Sequence, residues 1–294
     1  MRTPISPQLE EDGTYRPSTL AMKLSVQKTT DYDGHTYADA YQGDSKILMI
    51  CTEENAMTMA NGKKFSTGNH PVEMLVPMLH LRNAGFEIDI ATPTGAPVQI
   101  EMWAMPQEDE AVMGLYADLK DQLEHPQTLT DFVETSMNDT SPYCAIFIPG
   151  GHGAMLGLPE NVDVGKILNW AHNRGLHTLA LCHGPGALLA ANLPEAKAGQ
   201  PSDRYLYKGY EMVVFPDAID KQTPRIGYLP GPMPWWLGEQ LTNLGATIIN
   251  KKSNGAVHID RKLVTGDGPK AANAFGRLAA TTLLETLRHS DSAQ

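Results

Sequence analysis

The segment Thr178-Leu-Ala-Leu-Cys-His-Gly-Pro-Gly-Ala-Leu-Leu-Ala190 decides how the chain is read. It begins as an apolar strand, continues as a helical pattern, and carries Cys182 and His183 at the junction. A strand that turns directly into a helix exposes the turn residue at the carboxyl edge of a sheet. It also aims the helix's unpaired N–H groups and positive dipole end at that residue. Such surroundings favour a thiolate, so Cys182 is the candidate nucleophile of an elbow, with Gly184 and Pro185 suited to the turn. A buried structural cysteine beside a capping histidine is the competing reading.

Outward from the elbow the chain alternates strand and helix. Lys46–Cys51 and Phe86–Ala91 read as strands around an amphipathic helix from His70 to Ala84. Tyr143–Ile148 is a further buried strand, followed by a helix from Val162 to Asn173 and the elbow strand. Strands over Tyr210–Phe215, Ala246–Ile249 and Lys262–Thr265, a helix over Trp236–Leu244 and a closing helix over Ala271–Arg288 complete the pattern. This is an α/β chain with a mainly parallel sheet sandwiched by helices. Residues 1–45 have no sustained period and read as an arm packing on something else, and residues 98–140 read as an insertion. Ligands of such sheets sit beyond the carboxyl ends of the strands, which collects the loops after Cys51, Ile148, Leu181 and Phe215.

Bulk properties exclude several partners. A formal net charge of −11 leaves no basic surplus for a nucleic-acid groove, and no apolar run has membrane-spanning length. Three cysteines are too few and too odd in number for a disulfide framework, and the first residues lack a signal-peptide core, so a cytoplasmic location is expected.

Two loops and one helix on the sheet edge carry chemistry besides the elbow. In Pro149-Gly-Gly-His-Gly153, the N–H groups of Gly151, His152 and Gly153 are placed to bind substrate or an oxyanion. The glycine spacing is not that of a dinucleotide fingerprint. Asp217, after the Tyr210–Phe215 strand, is placed to hold His183 in one tautomer as the third member of a triad, or else to cap a helix. Glu73 lies in the first turns of the His70 helix, where it is either a proton-handling carboxyl or a partner for the helix dipole.

Phe65-Ser-Thr-Gly-Asn-His-Pro-Val-Glu73, Trp103-Ala-Met-Pro106, Pro149-Gly-Gly-His-Gly153 and Leu181-Cys-His-Gly-Pro185 recur in one order with Phe215-Pro-Asp217, Asp220-Lys-Gln-Thr-Pro224 and Thr265-Gly-Asp267. Together they resemble the DJ/PfpI superfamily, of class I amidotransferase-like, flavodoxin-like fold, and more closely its HchA-type subfamily of heat-shock chaperones, glutathione-independent glyoxalases and protein deglycases. The resemblance implies Cys182 as nucleophile, a triad with His183 and Asp217, Glu73 as proton carrier, and a site lined by Gly151 to Gly153. It also implies a homodimer, and a small second domain in which the 1–45 arm packs with the 98–140 insertion. The catalytic domain is then 46–97 with 141–294.

The activity implied is conversion of methylglyoxal or glyoxal to the hydroxy acid without a cofactor, or removal of dicarbonyl adducts from glycated proteins. A holdase acting on unfolded clients and a cysteine peptidase or amidase are the alternatives. The downstream His-x-Glu pair of an amidotransferase is replaced by His258-Ile-Asp260. Subfamily members can hold a metal with a His, Glu, His set. The corresponding positions here are Arg82, Glu87 and Leu119, so no metal is expected there.

Overall fold

The computed structural model describes residues 5–197 and 204–291. Thirteen strands are present among them. In chain order they are β1 (Gln8–Leu9), β2 (Tyr15–Arg16), β3 (Lys46–Ile50), β4 (Ala56–Thr58), β5 (Lys64–Ser66), β6 (Glu87–Thr92) and β7 (Gln127–Thr128). There follow β8 (Tyr143–Ile148), β9 (His177–Leu181), β10 (Glu211–Met212), β11 (Thr247–Ile248), β12 (Val257–Asp260) and β13 (Leu263–Gly266). Seven form the central sheet, in the order β12-β13-β9-β8-β3-β6-β7, parallel throughout except for the antiparallel β12–β13 edge.

The central strands are buried on both faces, and their period of two distributes them between two apolar layers. Leu48, Ile50, Ile146 and Ile148 point into the layer shared with the Val162–Asn173 helix. Ile47, Met49, Ala145 and Phe147 point into the opposite layer, shared with helices Pro71–Asn83 and Ala272–Asp291. The Pro71–Asn83 helix departs from the amphipathic expectation, because it is buried nearly all round. Ala272–Asp291 crosses so close to it that a Cβ on Gly276 would lie 2.9 Å from Pro77 Cα. The arm covers its far end, with Tyr41 N–H bonded to the Ala84 carbonyl at 2.8 Å and its ring stacked on Phe86.

Three further elements differ from expectation. Only β10 forms within the expected Tyr210–Phe215 strand, and it pairs with β11 outside the central sheet. The N–H groups of Val213 and Val214 are bonded instead by the side chains of Thr265 and Asn250, which replaces a ladder. The elbow leads into a 3-10 helix, Gly184–Asn192, rather than an α-helix. The arm's strands pair with residues 56–66, in the sheet β1-β2-β5-β4, a segment expected to belong to the α/β domain. The arm meets the insertion through Lys28–Glu108 and Thr30–Asp109, while β7, within the insertion, joins the central sheet.

Candidate active site

Cys182 stands one residue beyond β9, with φ of 62°, a left-handed conformation that costs a residue with a Cβ and recurs where a nucleophile is presented. Its N–H is bonded to the Gly266 carbonyl and its own carbonyl accepts from Phe215 N–H at 3.0 Å, so neighbouring segments hold the turn from both sides. Gly184 lets the chain leave the turn, because a Cβ there would lie 2.6 Å from the Ile148 carbonyl oxygen.

His183 Nδ1 lies 3.3 Å from Cys182 Sγ, and His183 Nε2 lies 2.9 Å from Asp220 Oδ2. With the proton on Nε2, donated to Asp220, Nδ1 is free to accept the thiol proton. Burial and the neighbouring His152 lower the proton affinity of His183, outweighing the pull of Asp220, so it stands neutral. Asp220 is itself buried, yet His152 and His183 hold its carboxyl well below the usual range.

The triad position expected for Asp217 therefore belongs to Asp220. Asp217 begins the short Asp217–Asp220 helix and accepts from the N–H groups of Gly238 and Glu239, at 2.8 and 3.0 Å, at the start of the Leu237–Asn243 helix. It is a helix-capping carboxylate, the alternative left open by the sequence. Asp220, at the other end of its turn, reaches the buried imidazoles.

Glu73 and Cys182 meet over Gly150. A Cβ on Gly150 would overlap Glu73 Oε2 and approach Cys182 Cβ to 2.6 Å. Glu73 is wholly buried, and neither carboxyl oxygen has a hydrogen bond of good geometry. Burial pushes its pKa up to about 8, against the pull of the Cys182 thiol and the Gly151 N–H, so the carboxyl is protonated at neutral pH. Burial, and the neighbouring Glu73 carboxyl, push the Cys182 thiol up as well. Burial beside an acidic group thus opposes the expected thiolate and works against the dipole end of the 3-10 turn, and His183 Nδ1 is the near acceptor for the thiol proton.

The glycine loop contributes unequally. Gly151 N–H favours charge on both Cys182 and Glu73, which suits an oxyanion donor. Gly153 N–H is bonded to the Gly68 carbonyl at 3.2 Å, so it is not free for that role. His152 acts through its side chain, with Nε2 3.1 Å from Asp220 Oδ1 and its ring packed 4.0 Å from that of His183. Burial opposes its protonation, but Asp220 and Glu101 outweigh this and raise its pKa.

Sequence reasoning missed Asp220, Glu101 and Tyr228. Each lies in or beside a quoted motif, but only the fold shows that Tyr228 packs against His152 and that Glu101 is buried.

Of the groups able to hold a metal, His152, His183 and Asp220 offer donor atoms within 4.8 Å of one another among the described residues. The two imidazoles are hydrogen-bonded to the carboxylate, an arrangement that moves protons without an ion. The ion position implied by the resemblance does not fit: Leu119 is buried in the apolar layer, Arg82 is cationic, and Glu87 is paired with Lys46 at 3.1 Å. His258-Ile-Asp260 lies on β12, with His258 3.8 Å from Glu211, and supplies no partner to the elbow.

Against this geometry stand the relatives. The chain is 50% identical over 285 residues to the protein/nucleic acid deglycase HchA of Pseudomonas aeruginosa strain UCBPP-PA14, covering 97% of this chain and 96% of that one. It belongs to the DJ-1/PfpI family. The model of that family matches residues 65–200. The HchA deglycase of Escherichia coli O157:H7 strain EC4115 is 46% identical over 286 residues, covering 97% of this chain and 98% of that one. The crystal structure of glyoxalase III from Candida albicans shares the fold at a TM-score of 0.61 and 23% identity, over 81% of this chain and 97% of that one.

Proposed function

We propose that the protein is a glutathione-independent glyoxalase that also acts as a deglycase on early dicarbonyl adducts, with Cys182 as nucleophile. The reading is carried by one juxtaposition, a cysteine at a strained elbow between a neutral His183 and a protonated Glu73. The near-full-length likeness to HchA deglycases supports it.

The chemistry follows from the protonation states. His183 takes the thiol proton through Nδ1 as sulfur adds to the aldehyde carbon, and Glu73 gives its proton to the aldehyde oxygen, leaving a hemithioacetal and a carboxylate. That carboxylate removes the hydrogen from the sulfur-bearing carbon and returns it to the adjacent carbon through an enediol. The product is a thioester, and water releases lactate from it. The shift is an internal redox change, so no redox cofactor enters the scheme. On an adduct, the sulfur displaces the modified side chain, the new C–S bond forming as the bond to its amine, thiol or guanidine breaks and the leaving group takes up the thiol proton, and the same hemithioacetal results.

Cys182 is 4% exposed, and two surface grooves, one of about 450 Å³ beside Asp217 and one bounded by Pro97 and Glu124, do not include it. So low an exposure suits a small dicarbonyl and disfavours an extended peptide. On family resemblance alone we also read the chain as a cytoplasmic homodimer, with arm and insertion forming a small second domain and with holdase activity toward unfolded clients. No helix among the described residues is long and apolar enough to cross a membrane.

The test is a side-by-side rate measurement on free methylglyoxal and on a purified glycated peptide with free dicarbonyl trapped. Turnover of both supports the full reading. Loss of peptide repair under trapping confines the activity to the free compound, and turnover of neither contradicts the proposal.

A further inference from the structure

The scheme above moves one proton between two carbons through Glu73, but the oxygen on the second carbon also has to gain a proton and the first oxygen has to lose one. Glu73 is committed to the carbon-bound hydrogen. A second acid is needed within the same enclosure.

Glu101 is 1% exposed. Its Oε1 accepts from Thr67 Oγ1 at 2.8 Å, while Oε2 is buried with no hydrogen bond of good geometry, the His152 N–H also favouring charge on the carboxyl. A buried carboxyl with so poorly satisfied an oxygen is costly unless that oxygen serves something. Its backbone is threaded into the site's walls. Glu101 N–H is bonded to the Asn69 carbonyl at 3.0 Å, one residue before the His70 cap of the helix bearing Glu73. Gly68, one residue earlier, is bonded to Gly153 in the glycine loop. The aromatic group of Phe65, Trp103 and Tyr228 covers this region, with Phe65 and Tyr228 both against His152.

We propose that Glu101 is a second catalytic carboxyl, exchanging a proton with the oxygen on the substrate carbon not bound to Cys182. Burial, opposed by His152 and Thr67, pushes its pKa up to about 7, so a protonated fraction is present at neutral pH. Its charge also bears on Glu73, His152 and Tyr228, as expected of groups around one enclosure.

The step balances. As the Glu73 carboxylate takes the hydrogen from the sulfur-bearing carbon, the C–H pair forms the carbon–carbon double bond and the carbonyl π pair moves onto the second oxygen. That oxygen takes the Glu101 proton. In the reverse sense, Glu73 returns its proton to the second carbon while the Glu101 carboxylate accepts the hydroxyl proton of the first, giving the thioester and restoring both groups.

This inference rests on the glyoxalase reading, and Glu101→Gln tests the two separately. Gln keeps the shape and the Thr67 contact but transfers no proton. Its kcat on methylglyoxal is expected to fall roughly tenfold to a hundredfold, with KM and the rate of Cys182 alkylation by iodoacetamide little changed. Methylglyoxal deuterated at the aldehyde carbon is expected to show a larger isotope effect on kcat than in the wild type. If Gln fails to fold, Glu101→Asp carries the same two readouts. An unchanged kcat and isotope effect overturns the inference and leaves the glyoxalase reading standing. So does a loss of kcat matched by loss of Cys182 alkylation, which marks a structural residue. A wild type that does not consume methylglyoxal overturns both.

Discussion

Asp220 Oδ2 lies 2.9 Å from His183 Nε2, while Asp217, three residues earlier, is turned to the N-terminus of another helix. The two aspartates therefore separate in their effects. Asp220→Asn is expected to lower turnover of methylglyoxal roughly a hundredfold or more by releasing the tautomer of His183. Asp217→Ala is expected to leave turnover within a few-fold and to cost about 1 kcal/mol of stability, the usual worth of a cap. Steady-state kinetics and denaturant unfolding of the two variants check the pair. The opposite ranking would return the triad to Asp217.

Glu73 ties activity to a pH-dependent stability. Its folded pKa is raised from 4.5 to about 8, so between those values the folded chain holds a proton that the unfolded chain has released. The contribution is fully present below pH 4.5 and is lost as pH rises through about 8. His70 and His177, lowered by burial, act in the opposite direction in mild acid, so the comparison must be a difference. Relative to Glu73→Gln, the wild type is expected to lose melting temperature steadily from pH 5 to 8, while Gln lowers turnover roughly a hundredfold or more. A parallel pair of stability curves would mean that Glu73 is ionised in the fold.

Position 150 tests the contact that brings the two reacting groups together. Gly150→Ala places a methyl group where Glu73 Oε2 already lies and 2.6 Å from Cys182 Cβ. Both turnover and melting temperature are expected to fall sharply. Gly114→Ala, where a Cβ meets nothing within 4 Å and the backbone is unstrained, serves as the control.

Metal removal is expected to cost nothing. Exhaustive chelation should leave the rate on methylglyoxal unchanged, because the proposed chemistry runs through Cys182, His183 and Glu73. A rate that falls on chelation and returns with zinc would place an ion in the mechanism.

The α/β architecture and the elbow were legible because long apolar strands and Gly-Pro punctuation are local signals. β3, β8 and β9 appear within a residue of their expected bounds for that reason. Short elements were not legible: β4 and β5 pair with each other and β5 with the arm's β2, and Val213 and Val214 are bonded by Thr265 and Asn250 rather than by a neighbouring strand. In the site, Cys182, His183 and Glu73 are brought together as expected. Asp220 was passed over for Asp217 because both follow the same segment, and spacing does not say which carboxylate turns inward. The protonation of Glu73 and Cys182 depends on burial from several segments at once, which no single stretch of sequence displays.

The central claim is that the Cys182 sulfur carries the reaction. The most direct measurement is lactate formed from methylglyoxal by wild type and by Cys182→Ser, with circular dichroism and melting temperature recorded on both. The account predicts lactate from the wild type alone, with the serine variant folded and inactive. A folded Cys182→Ser protein forming lactate at a rate near the wild type's would contradict it.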